Sequence, residues 1–139
     1  MAAERIHVRT VYIDGMRFVS RADGGVSVVM DTRADGAPSG ATPMELLLMA
    51  LTGCSGIDVV HILHRMRVPV ERFEIEAYAD RAETSPKRFT RVYLVYRFDG
   101  AVPRDKAERA IRLSLEKYCS VYANLQQSIE LTWDCECTP

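Results

Sequence analysis

The sequence carries almost no net charge. Its 18 Lys and Arg against 19 Asp and Glu leave −1 at pH 7. That balance supplies no electrostatic reason to bind nucleic acid or an anionic membrane. Long apolar runs are missing as well: the longest, Leu46 to Leu51, falls far short of the roughly 20 residues that a membrane-spanning helix needs. The opening MAAERIHVRT has no apolar h-region, which argues against a secretory signal and for a cytoplasmic protein. Histidine is scarce. His61 and His64 are three apart, but no thiol or carboxylate joins them at a recognised zinc spacing, so neither a metal nor a cofactor is expected. The four cysteines, Cys54, Cys119, Cys135 and Cys137, are too few for a disulfide scaffold. In a reducing compartment they are thiols, metal ligands or a redox-cycling pair. Repeats and low-complexity tracts are absent. A chain of 139 residues that is 47% hydrophobic and 27% charged fits a single domain, 1–139.

What is present is a clear alternation of periods. Residues 5–13, 16–21 and 26–31 alternate and are rich in β-branched side chains, which predicts a three-stranded meander turned at Asp14-Gly15 and Asp23-Gly24-Gly25. The Gly, Pro, Ser and Asp content of 32–41 predicts a loop. Thr42-Pro43-Met44-Glu45 is a helix start, with Thr42 as N-cap and Glu45 able to close a capping box. The helix is expected to run to about Arg67, where Val68-Pro69 ends it. Apolar residues cover more than one of its faces, which predicts a central, buried helix. Strands follow at 72–82 and 89–99, an amphipathic helix at 103–118, and a last strand at 128–136. Residues 119–127 either continue the second helix or begin a short turn of their own. The order is βββ-α-ββ-α-β. The class is α+β, with mostly antiparallel sheet.

The chemistry centres on Gly53-Cys54-Ser55-Gly56, inside the first helix. Glycine in a helix interior costs about 1 kcal/mol relative to alanine. Two of them around a cysteine imply either close packing or access to the sulfur. Cys119 lies at the end of the other helix. A pair could exchange as dithiol and disulfide only if their Cα atoms come within about 7 Å. A thiol with a pKa of about 8.5 also needs help to ionise. Arg17, Arg21, Arg65 and Arg67 are candidates, each more simply read as a solvated charge. Asp58 and His61 follow Cys54 by four and seven residues. A Cys-His-Asp triad within one straight helix is unworkable, because seven residues span about 10 Å of axis. Glu45 reads first as the capping-box residue, and it could also hold an arginine over the sulfur. Cys135 and Cys137 share one face of a strand, and this C-terminal pair reads as a frayed tail.

Four stretches carry a resemblance: VVMD (28–31), TPMELLLMALTGCSGIDVVHIL (42–63), PKRFTRVYLVYRF (86–98) and LSLEKYCSVYANL (113–125). Together they resemble the OsmC/Ohr family of thiol-dependent peroxidases, and more closely its YhfA-like branch. The resemblance implies an intertwined homodimer whose antiparallel sheets wrap around two long central helices, with active sites at the subunit interface. It implies that Cys54 is the peroxidatic cysteine and Cys119 the resolving one. The substrate would be an organic hydroperoxide, and an external dithiol would be the reductant. It further implies a glutamate-held activating arginine, for which Glu45 and Arg17 are the nearest matches. Glu45 departs from the family pattern, because Met44 occupies the place directly after the proline. One helical position turns a side chain by about 100°.

The leading expectation is therefore a cytoplasmic, dimeric two-cysteine peroxidase. The alternatives are a dimer that binds a small molecule or acyl chain, and a thiol transferase or redox sensor on the same scaffold.

Overall fold

The computed structural model describes residues 3–33 and 36–139. Residues 34 and 35 of the predicted loop lie outside the described residues. The elements run β1 (Val8–Asp14), β2 (Arg17–Ala22), β3 (Ser27–Met30), α1 (Pro43–Arg65), β4 (Arg72–Arg81), β5 (Phe89–Asp99), α2 (Arg104–Leu113), a π-helical turn (Ser114–Tyr118), α3 (Ser120–Leu125) and β6 (Glu130–Thr138). The class is α+β in the expected order. The chain divides into two compact units, one ending at Leu47 and one spanning Leu48–Pro139.

In the first unit, β1, β2 and β3 form an antiparallel meander. Its apolar side chains are left open: Val8, Val11, Tyr12, Ile13 and Val28 are all exposed. This unit also holds the start of α1, where the capping box is complete. Glu45 N–H donates to Thr42 Oγ1 at 3.1 Å, and Thr42 N–H donates to Glu45 Oε1 at 2.9 Å.

In the second unit, β5 is the middle strand of the order β4-β5-β6. It pairs antiparallel with β4 and parallel with β6. The sheets are thus mostly antiparallel, as expected, and β6 adds one parallel pair. The helical connection after β5 returns the chain to the strand's starting end, and a parallel neighbour requires such a crossover. Val92, Leu94, Tyr96 and Phe98 of β5 are buried. The Phe98 ring stacks on Phe73 of β4 at 4.3 Å, a contact worth about 0.5–1.5 kcal/mol beyond burial. Ala107, Ala110 and Ile111 of α2 are fully buried, as their spacing predicts.

Two helical expectations change. α1 buries one stripe, Leu51, Ser55, Val59 and Leu63, while Ile57 is 73% exposed. A protein interior on all sides of this helix is not what the single chain provides. Its most apolar window has a mean hydropathy of 1.9, long and apolar enough to cross a membrane by length and composition. The window is apolar on average although single polar residues interrupt it. The second helix is not one long rod: α2 passes into the π-helical turn, and Cys119 breaks the chain before α3 with φ −71° and ψ 101°.

α1 ends as a Schellman motif. Val68 N–H donates to the Leu63 carbonyl at 2.9 Å, and Arg67 N–H to that of His64 at 3.0 Å. Arg67 takes the left-handed position at φ 61°, where glycine is usual.

Candidate functional site

Cys54, Asp58 and Cys119 converge in the second unit. The two sulfurs and a carboxylate oxygen of Asp58 all lie within 4.8 Å of one another. Residues four apart on a helix share a face, so α1 delivers Cys54 and Asp58 together. Cys119 arrives from the break between the π-helical turn and α3. It is the N-cap of α3, and its sulfur accepts the Tyr122 N–H at 3.4 Å. The π-helical turn adds a residue to the helix, a device that recurs at functional sites. All four cysteines are free thiols.

A line of buried hydroxyls stands behind this cluster. Tyr96 OH and Ser55 Oγ lie 2.7 Å apart, and Ser55 Oγ and Ser114 Oγ 2.9 Å apart. Ser114 Oγ donates to Asp58 Oδ2 at 3.1 Å. Each hydroxyl has one proton. An ionised Asp58 only accepts, so Ser114 spends its proton there. Ser55 then donates to Ser114, and Tyr96 donates to Ser55. The chain has one direction and ends on the carboxylate beside the two thiols.

The electrostatics follow. Burial pushes the Cys119 thiol up to about 11, with neighbouring Cys54 and Asp58 adding to the rise and the Tyr122 N–H opposing it. Burial likewise raises the Tyr96 hydroxyl to about 12. Cys54 is half-buried. A cleft of about 550 Å³ lined by Asp58, His61, Arg65, Arg109, Leu113 and Tyr118 opens beside Asp58. The two glycines near Cys54 have different reasons. A Cβ at Gly56 would meet Ile75 Cδ1 at 3.3 Å, a packing constraint from β4, whereas one at Gly53 would meet nothing within 4 Å.

The other expected site residues are in the first unit. Arg17 forms a bidentate pair with Asp14, at 2.5 and 2.6 Å. Glu45 pairs with Arg33, and its carboxyl is held below the usual range first by the Thr42 N–H and then by Arg33. Arg33 was missed because it sits in a loop with no periodicity, twelve residues from Glu45. Asp58 was weighed with Cys54 and His61 as a triad and set aside with it, because His61 lies too far along the helix and nothing local ties Asp58 to Cys119. The C-terminal pair is no frayed tail. Cys135 lies within β6 and is buried, 3.7 Å from Cys137, sulfur to sulfur.

Comparison with known proteins agrees with this architecture. A family model described as OsmC-like protein matches residues 35–134. Protein YhfA of Escherichia coli (strain K12) is 38% identical over 129 residues, covering 91% of this chain and 94% of that protein. The crystal structure of a hypothetical protein from Aquifex aeolicus VF5 superposes with a TM-score of 0.85 at 31% identity, covering 99% of this chain and 100% of that one. The organic hydroperoxide resistance protein OhrB of Bacillus subtilis shares the fold, with a TM-score of 0.70 at 19% identity and coverage of 97% and 100%. With the family model spanning most of the second unit and both thiol-bearing segments, this chain belongs to the OsmC-like family.

Proposed function

We propose that the protein is a two-cysteine reductase of organic hydroperoxides. The observation that carries the reading is the meeting of two free thiols from separate elements beside one carboxylate. Cys54 is the more open thiol and attacks the peroxide O–O bond. The peroxide leaves as an alcohol and Cys54 becomes a sulfenic acid. The Cys119 sulfur then displaces the hydroxyl, and Asp58 is placed to take the thiol proton as the disulfide and water form. An external dithiol reduces the disulfide and is itself oxidised. The cleft beside Asp58 is large enough for an apolar peroxide, and Ile62, Met66, Leu113 and Tyr118 supply its apolar wall.

The reading includes a cytoplasmic homodimer. The open apolar side chains of β1–β3 and the exposed Ile57 of α1 are the kind of surface that a second copy covers. On this reading α1 is an interior helix of a soluble dimer. Glu45 and Arg17 remain proposed as activating residues.

The same pair of free thiols also suits a second reading, thiol transfer from a disulfide donor, in which Cys54 takes one sulfur of the donor and Cys119 resolves the mixed disulfide. The test is thiol counting with peptide mapping after one equivalent of cumene hydroperoxide, with a parallel sample given a small aliphatic disulfide. Fast loss of two thiols to a Cys54–Cys119 cross-link with the peroxide is expected. Cross-linking only with the disulfide donor would transfer the assignment to the second reading, and four unreacted thiols would refute both.

A further inference from the structure

Cys54, Asp58 and Cys119 bring two sulfurs and a carboxylate oxygen within 4.8 Å of one another. We propose that, with both thiols reduced, these three residues bind a thiophilic divalent cation of the zinc class. The inference goes beyond peroxide reduction and stands whether or not the protein turns over a hydroperoxide.

The donor set fits. Zinc takes thiolate sulfur at about 2.3 Å and carboxylate oxygen at about 2.0–2.2 Å, so its tetrahedral donors stand about 3.5–3.8 Å apart. Drawing donors together from at most 4.8 Å is a matter of small side-chain rotations. Three protein ligands leave the fourth position for water, the open pattern of zinc sites.

The surroundings fit as well. Metal-ligating carboxylates are themselves held by hydrogen bonds. Here Ser114 holds Asp58 Oδ2, and Ser55 and Tyr96 hold Ser114 in turn. The Tyr122 N–H does the same for the Cys119 sulfur. Deprotonating both thiols beside an ionised Asp58 gathers three negative charges in a partly buried place. Among the described residues, no Lys or Arg hydrogen-bonds or ion-pairs with any of the three, so no side-chain cation already occupies the centre.

Binding exchanges two thiol protons for one cation and changes no oxidation state. The bound metal and the Cys54–Cys119 disulfide exclude each other, because the disulfide removes both thiolate donors. A cation of this class therefore protects Cys54 from oxidants and is released on oxidation.

The reduced, full-length chain is titrated anaerobically with Co²⁺, reading thiolate-to-cobalt charge transfer, and Zn²⁺ then competes. Cys135 and Cys137 lie 3.7 Å apart and form the rival site, so a Cys135→Ser/Cys137→Ser variant is titrated too. One equivalent with a two-thiolate band is expected in both proteins. Cys54→Ser is expected to lose about half the intensity. Asp58→Asn is expected to weaken binding at least tenfold, and Ser114→Ala by about 10–100-fold. A second measurement needs no thiol variant: Zn²⁺ should slow alkylation of Cys54 in the unmodified chain, and Asp58→Asn should remove that protection. A band that survives Cys54→Ser but vanishes in the Cys135→Ser/Cys137→Ser protein, or affinity unchanged by Asp58→Asn, overturns the proposal.

Discussion

Removing the Ser114 hydroxyl tests the directed chain of protons. In Ser114→Ala, Asp58 loses a donor and the Ser55 proton loses its acceptor. One lost bond is to a charged acceptor, worth about 1.5–3 kcal/mol, and the other joins two neutral hydroxyls, worth about 0.5–1.5 kcal/mol. Asp58 is only half-buried, so water replaces part of the first. The expected loss is about 2–3 kcal/mol. Tyr96→Phe removes one bond from the donor end and leaves Ser55 with only a spare lone pair. Its expected cost is about 1 kcal/mol. Urea denaturation of the two variants and the wild type measures both costs, and equal m-values would certify that the midpoint shifts report stability. The asymmetry is the point of the test. If Tyr96→Phe costs as much as Ser114→Ala, the chain does not run from the tyrosine to the carboxylate, and the order of donors deduced from Asp58 is wrong.

Three further outcomes are expected. Cys119 titrates at about 11 in the fold against an ordinary 9.0, so the unfolded thiol ionises first. The stability tied to its protonated form is whole below pH 9, falls as pH rises, and is gone above 11. The ceiling is roughly 3 kcal/mol, and melting curves from pH 8 to 11 should show a shallower decline in Cys119→Ser. Gly53→Ala should stabilise α1 by about 1 kcal/mol, because its Cβ meets nothing. Gly56→Ala should gain clearly less, because its Cβ presses on Ile75, and calorimetry ranks the two. Arg67→Gly should raise stability by about 1 kcal/mol, since it relieves a side chain held at φ 61°; a drop in melting temperature would refute the strain.

Much of the architecture was written locally. Alternation specified the six strands, and Asp14-Gly15 and Asp23-Gly24-Gly25 turned the meander. Thr42 and Glu45 started α1 by a hydrogen-bond exchange over three residues. The family resemblance rested on the same contiguous stretches. Less was legible where partners are distant. Arg33 stood in a loop without pattern, so its pairing with Glu45 within the chain was not legible, nor was that of Arg17 with Asp14. The parallel placement of β6 depends on a crossover of some thirty residues between β5 and β6, and no local signal encodes it.

The order of elements, the helix start and the family could thus be read along the chain, because each is carried by interactions between near neighbours. It took folding to put Cys119 in a break after a π-helical turn, to bring it to Cys54 and Asp58, and to line up three buried hydroxyls toward that carboxylate. Those contacts join residues 41 to 65 positions apart. Their cost is the ordering of everything between them, and only the packed core of the second unit supplies the free energy to hold them.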